Sequence, residues 1–407
     1  MHPSIKSLRH YKAMVFTIVV EVAISFCLIT NAFGLFISKV GPMYLPEGTA
    51  TSASLYSVKM QSVFMPHEMS PKRSNPTLDI ATLREQSGNE NVSEINSLPL
   101  GQEMSTVNVS SELGTKRLQR TEVAVYAGTD GYLTSLGVRL IEGRGLTKDD
   151  MADYDLQKDG LLASSVVITK SLAISIFGTS SALGKELFYG SKKDHSVRIV
   201  GVVDNVLKPI IGDVRGSQDA LFETVRPFVG GIYLFRNSLP NNRDRPREAA
   251  KALAALEAGR VTVMATSLDR IRRKYFEEDR ALSGLLLALV TVILAVCWFG
   301  VAGITNYWIR QRYRSIGIRR ALGAAKSDIA LQFVTENLLV VAGGLVIGAP
   351  VAILVNRYMQ ATYGIPGVAV PFLAAAAIGF LATCLGSVTF ILIAALRVSP
   401  MSAVRST

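Results

Sequence analysis

The chain has 407 residues, of which 49% are hydrophobic and 18% charged, and its formal net charge is +11. Its length would suit roughly two or three soluble domains, but the apolar residues that give it a mean hydropathy of +0.31 are gathered into long runs, which marks a membrane protein. The excess cations sit beside those runs rather than in one basic patch on a soluble domain, so nucleic acid is excluded as a partner.

In residues 1–12, Ile5, Leu8 and Tyr11 fall at helical spacing opposite Lys6, Arg9 and Lys12. That pattern suits a short helix on the inner leaflet, and equally a frayed end, because so short a helix is marginal alone. The first apolar run, residues 13–36, is longer than the roughly 7–15 residues of a cleavable signal core and ends in FGLFISKV without a small-x-small site. It is read as an uncleaved anchor. Three further runs, 282–305, 329–356 and 371–396, are also long enough for a hydrocarbon core that takes roughly 20 helical residues.

Charge sets the expected orientation. Residues 1–13 carry +3, residues 306–330 have six basic residues against one acidic, and residues 397–407 carry +2. Residues 37–281 are nearly balanced, with 31 basic and 29 acidic residues. The termini and the 306–328 loop are therefore expected in the cytoplasm, and the large segment outside. Cys27, Cys297 and Cys384 all fall in the apolar runs, which implies no disulfide framework. The outer segment of about 240 residues is long enough to build its own core.

Within that segment, residues 55–65, 123–126, 165–169, 197–203, 231–235 and 261–265 read as strands, and 77–86 and 246–257 as helices. The polar stretch 88–111 shows no readable strand pattern. The mixture predicts an α+β domain over 37–265, with room for two lobes if the middle is inserted between two βαβ-like halves. From 266 to 281, Leu268, Ile271 and Tyr275 share a stripe with Leu282, while Arg273/Glu277 and Lys274/Glu278 form i,i+4 pairs. With no breaker before Leu282, the second membrane helix is expected to run outward as a stalk.

Chemistry-bearing motifs are few. GTSSALGKE (178–186) departs from a Walker A loop, because five residues separate its glycines and Glu186 follows Lys185; it reads as a turn ahead of a strand. His2, His10, His67 and His195 are scattered, so neither a metal site nor a catalytic residue is predicted. Two acids lie in the apolar runs. Glu21 is roughly 12 Å deep by helical rise and is expected to hydrogen-bond inside a bundle, since a proton relay usually needs a second buried acid or histidine. Glu336, about two turns into the third run, is placed to meet a cation of the 306–328 loop. Gly343, Gly344 and Gly348 allow close helix approach and Pro350 a kink, with packing inside one bundle the simpler expectation than a dimer seam. None of the four runs has a polar face wide enough for a hydrophilic channel.

RSIGIRRALGAAKSDIALQFVTENLLVVAGGLVIG (314–348) resembles the signature of the FtsX/MacB-type permease family. GYLTSLGVRLIEGRGLTKDD (131–150), SVVITKSLAISIFGTSSALGKEL (165–187) and VRIVGVVDNV (197–206) resemble the periplasmic domain of MacB-like permeases, and VSPMSAVR (398–405) the family's closing motif. The resemblance implies an α-helical inner-membrane protein with four transmembrane helices and a large α+β periplasmic domain inserted between helices 1 and 2. It further implies the permease of an ABC transporter, with no cofactor of its own and ATP bound by a separate ATPase chain. A second permease, like or unlike, would complete the dimer, amid membrane lipid, with a periplasmic adaptor and outer-membrane factor as further partners.

Position by position, the resemblance assigns ATPase coupling to Ile316, Gly317, Ile318, Arg319, Arg320, Ala321, Leu322, Gly323 and Ala324. Gly323 would end the coupling helix or admit a close backbone approach. Ser315 departs from the family, which commonly has glutamate there. The expected activity is efflux of a peptide, antibiotic or lipid-linked substrate by mechanical transmission. The alternatives are an FtsX-like regulator of a cell-wall hydrolase, whose external domain would be smaller, and a LolC/LolE-like lipoprotein-releasing permease.

Overall fold

The computed structural model describes residues 12–49, 54–62, 75–88, 91–111, 121–151, 164–189, 196–212, 216–225, 230–236, 244–257, 259–321, 323, 325–363, 367–368 and 370–396. The surface helix expected over 1–12, apart from its last residue, and the tail 397–407 lie outside them. The chain forms two compact units, one of Met1–Val40 with Asp279–Thr407, the other of Gly41–Glu278.

The first unit opens with α1, Lys12–Val40. The second unit then runs, in chain order, through β1 (Leu55–Ser62), α2 (Pro76–Ser87), β2 (Val92–Ile95), β3 (Ser105–Ser110), β4 (Thr121–Gly128), α3 (Tyr132–Leu136) and β5 (Leu140–Gly143). It continues with β6 (Ser165–Thr169), α4 (Lys170–Phe177), β7 (Glu186–Tyr189), β8 (Ser196–Val203), β9 (Ala220–Thr224), β10 (Ile232–Arg236), α5 (Arg245–Leu256), β11 (Arg260–Ser267) and α6 (Leu268–Tyr275).

Local chemistry fixes several of these boundaries. At the start of α2 the Asn75 side chain accepts from Leu78 N, Pro76 takes a first-turn position whose N–H would go unused, and Gly88 ends the helix in the left-handed region at φ 61°. Thr169 caps α4 by accepting from Leu172 N, and Gly178 closes it at φ 70°. The GTSSALGKE segment is thus a helix end and a turn leading into β7.

The eleven strands among the described residues belong to one sheet. The pairings β4–β3, β3–β7, β7–β8, β8–β6, β6–β9 and β9–β4 close six strands into a ring. Its core takes alternate residues from all six, among them Val109, Val125, Leu221, Ile168, Ile199 and Leu187. One βαβ crossover remains within it, since β6 and β8 are parallel with α4 between them in sequence. The order β2–β10–β1–β11 extends the sheet from β4. Tyr56, Val58, Val92, Tyr233 and Phe235 of that extension form a core with Leu83 of α2 and Leu253 of α5, whereas Leu55, Ile232 and Leu234 join Tyr126 and Phe222 in another. This alternation is the period-2 signature of a sheet covered on both faces.

Along the expected stalk the helix has one local interruption, a single residue within the helical segment Leu268–Gln311. Helix α6 ends before Phe276, whose backbone leaves the helical region at φ −93°, ψ 9°, and α7 begins at Glu277 and runs to Gln311. The Phe276 side chain is buried with Leu100 and Leu207, and its N–H still donates to Arg272 O, four residues back, at 3.2 Å.

The rest of the first unit is α7, α8 (Tyr313–Ala321), α9 (Lys326–Tyr363) and α10 (Val370–Leu396). Four helical segments, Lys12–Tyr44, Leu268–Gln311, Ser327–Thr362 and Pro371–Ile393, are long and apolar enough to cross a membrane. Ile18, Val22 and Phe26 of α1 are packed with Cys297 and Val301 of α7, Val340 and Val341 of α9, and Phe380 and Cys384 of α10. Polar ties supplement this core: Ser387 Oγ donates to Trp298 O at 2.8 Å, Thr305 Oγ1 to Asn337 Oδ1 at 3.1 Å, and Asn31 Nδ2 to Ala352 O at 3.3 Å. Lys39 and Asp279 pair at 2.9 Å near the same end of α1 and α7.

Candidate coupling site

The stretch between α7 and α9 holds the nine-residue helix α8. Ile316 is partly buried against Ile309, Ile329, Phe333 and Leu392, so one side of α8 is seated on the ends of three membrane helices. Ile318, by contrast, is 56% exposed. Arg319 is exposed, and Gly323 stands in the left-handed region at φ 95° with no neighbour where a Cβ would be, so it terminates the segment as only glycine does without strain. Gly317 and the backbones of Arg320 and Ala321 lie in α8, while Leu322 and Ala324 fall outside the described residues. Ser315 is exposed on the same helix.

Beneath α8 lies a polar chain that the sequence only half discloses. Glu336 of α9 is fully buried, and Arg312, the residue between α7 and α8, donates from Nη1 to its Oε2 at 2.7 Å. Gln332 Nε2 donates to Glu336 Oε1 at 3.1 Å, and Arg319 Nη1 donates to Gln332 Oε1 at 2.9 Å. Gln332 and Glu336 are i,i+4 neighbours on one face of α9, a spacing legible in sequence. Which of the six nearby cations would reach them was not.

The other sequence-selected residues lie along α1 and α9. Glu21 fills the space that a side chain at Gly300 of α7 would need, so it is turned inward against that helix. Gly344 and Gly348 lie against Val22 and Ala23 of α1, and Gly343 lies near Val19. These glycines therefore seat α9 on α1 within one bundle, and Pro350 lies further along α9.

Sequence reasoning missed a second cluster, in the other unit. Arg272 of α6 donates from Nη1 to Glu47 Oε1 and from Nη2 to Met43 O, each at 2.6 Å. Tyr275 Oη accepts from Ile211 N at 2.8 Å. The segment by which the chain enters this unit is thus pinned to the helix by which it leaves.

The family comparisons agree with this arrangement. Residues 22–242 match the MacB-like periplasmic core domain and residues 287–401 the FtsX-like permease C-terminal domain. The class is that of ABC transporter permeases with transmembrane helices and a periplasmic-type α+β domain. Within it, the chain belongs to the MacB-like, FtsX-like family.

Among its relatives, the macrolide export ATP-binding/permease protein MacB of Pasteurella multocida is 28% identical over 265 residues, which is 63% of this chain and 38% of that protein. Its counterpart from Chromobacterium violaceum is 30% identical over 242 residues, 57% of this chain and 36% of that protein. The matched part thus spans well under half of either relative. The periplasmic region of MacB from Actinobacillus actinomycetemcomitans is similar at 19% identity and a TM-score of 0.35, covering 56% of this chain and 94% of that structure. The extracellular domain of the transporter YknZ from Gram-positive bacteria gives 14% identity and a TM-score of 0.34, covering 51% of this chain and all of that structure.

Proposed function

We propose that this chain is a permease subunit that couples ATP hydrolysis by a separate ATPase chain to conformational change in a periplasmic domain, driving efflux of a peptide, antibiotic or lipid-linked substrate. Residues 41–278 are the periplasmic domain, inserted between the first and second membrane helices, and both termini and residues 306–328 are cytoplasmic. The partition of positive charge supports that orientation. A second permease completes the membrane assembly, and a periplasmic adaptor and outer-membrane factor are further partners.

The observation that carries this reading is α8, with Ile316 seated on the bundle and Ile318 exposed beside Arg319. A short helix so placed offers a docking surface backed by three membrane helices. GTSSALGKE lies in the other unit as a helix end and turn, so it supplies no phosphate loop. Export is favoured over hydrolase regulation by the size of the external unit and by relatives named for macrolide export.

The test is purification of the tagged chain from its native membrane, with identification of what accompanies it. An ABC ATPase together with an adaptor is the expected result. A cell-wall hydrolase with no adaptor would reject export in favour of regulation.

A further inference from the structure

We infer that Arg312, Glu336, Gln332 and Arg319 form the transmission clamp of this permease: positioning residues that tie α8 to α7 and α9, so that a displacement of α8 moves both membrane helices together. The inference rests on the coupling reading above and adds which side chains carry the displacement. A nine-residue helix has little stability of its own. The packing of Ile316 holds α8 down, but hydrophobic contact is non-directional and lets a helix slide or roll.

Direction comes from the hydrogen-bonded chain. Arg319 on α8 is joined through Gln332 to Glu336, and Glu336 to Arg312 where α7 gives way to α8, by three bonds of 2.7 to 3.1 Å. A displaced Arg319 therefore pulls on α9 through Gln332, and on the end of α7 through the carboxylate. Glu336 is fully buried, and parting a buried ion pair strands an uncompensated charge, which makes intermediate positions costly. The Arg312 guanidinium is further held by Trp308 of α7 at 5.6 Å and Phe333 of α9 at 5.8 Å, ring contacts that a planar cation makes better than an ammonium. The clamp thus resists deformation and favours movement as one piece.

The experiment uses the complete complex in detergent, trapped with ADP and orthovanadate. Amide hydrogen exchange over residues 41–278 is compared with the nucleotide-free complex and normalised to the nucleotide trapped. Glu336→Gln and Arg312→Met should each reduce the nucleotide-dependent change about fivefold or more, the low end of ordinary coupling factors. Arg312→Lys should fall between them and the wild type. The double variant should be no worse than either single one, because the two residues act as a unit.

A merely structural role would lower the yield of complex without altering the response per trapped nucleotide. A wild-type response in Glu336→Gln and Arg312→Met would overturn the clamp. If those complexes do not assemble, Gln332→Ala removes the bonds to Arg319 and to Glu336 but leaves the Arg312–Glu336 ion pair, and an unchanged response there overturns it equally. A wild-type complex that traps no nucleotide would instead reject the coupling reading, and would do so before any variant was made.

Discussion

Gly344 of α9 and Val22 of α1 are packed so closely that a methyl group added at Gly344 would lie 2.5 Å from Val22 Cγ1. At Gly348 the obstacle is backbone instead, with Ala23 O at 2.9 Å and Ala23 Cα at 3.0 Å. Overpacking of this kind costs about 1–3 kcal/mol. Gly344→Ala should therefore lower the thermal unfolding midpoint in detergent, and adding Val22→Ala should restore only part of the loss, because Val22 Cβ at 2.7 Å and Val19 O at 3.1 Å stay in the way. Gly348→Ala should not respond to any trimming of Ala23, because no side chain stands in the way.

In the other unit, Arg260 of β11 grips Asp79 of α2 with two bonds of 2.8 and 2.7 Å, and Tyr233 Oη adds a third at 2.7 Å. Both charged side chains are almost wholly buried, at 3% and 1% exposure. Removing one partner from such a pair costs about 3–5 kcal/mol, whereas losing one hydrogen bond to a charged group costs about 1.5–3 kcal/mol. Asp79→Ala should accordingly speed hydrogen exchange of the β11 amides much more than Tyr233→Phe does. Comparable effects of the two substitutions would contradict the pair's leading role in holding β11 to α2.

The Asp150 carboxyl carries a pH dependence. The Arg144 guanidinium beside it, helped by the Thr147 N–H and hydroxyl, holds its pKa well below the usual carboxylate range. Because the folded value is depressed, the stabilisation is complete above the unfolded pKa of about 3.9 and is lost as pH falls below it toward the folded value. Acid unfolding of this unit should steepen below about pH 4 in the wild type. Asp150→Asn should flatten that limb and lower stability near neutral pH, with little further change on acidification.

The sequence was most readable where one force dominated. Hydropathy disclosed the four membrane helices, and alternation disclosed β6 at its full extent, Ser165–Thr169. It failed where polar residues are buried. Strand β9, ALFET, hides Glu223 and Thr224 in the interior, and β2 hides Ser93 and Glu94, so neither shows an apolar alternation. The closure of six strands depends on the β4–β9 pairing between residues about a hundred positions apart, which no local period records. The single turn residue Phe276, buried with Leu100 and Leu207, has no mark in the sequence, where the flanking charges favour a helix. At the candidate site, the motif marked α8 and the spacing marked Gln332 with Glu336. The selection of Arg312 from among several cations came from three-dimensional packing.

The central claim is that α8 and the turn at Gly323 receive an ATPase, and copurification tests it most directly. The tagged chain carrying Leu322→Asp and Gly323→Asp is isolated beside the wild type, with exchange protection over residues 41–278 showing that the outer unit is intact. Loss of the ATPase subunit from the variant alone, with that protection retained, is the predicted result. An ATPase that accompanies both chains equally would contradict it.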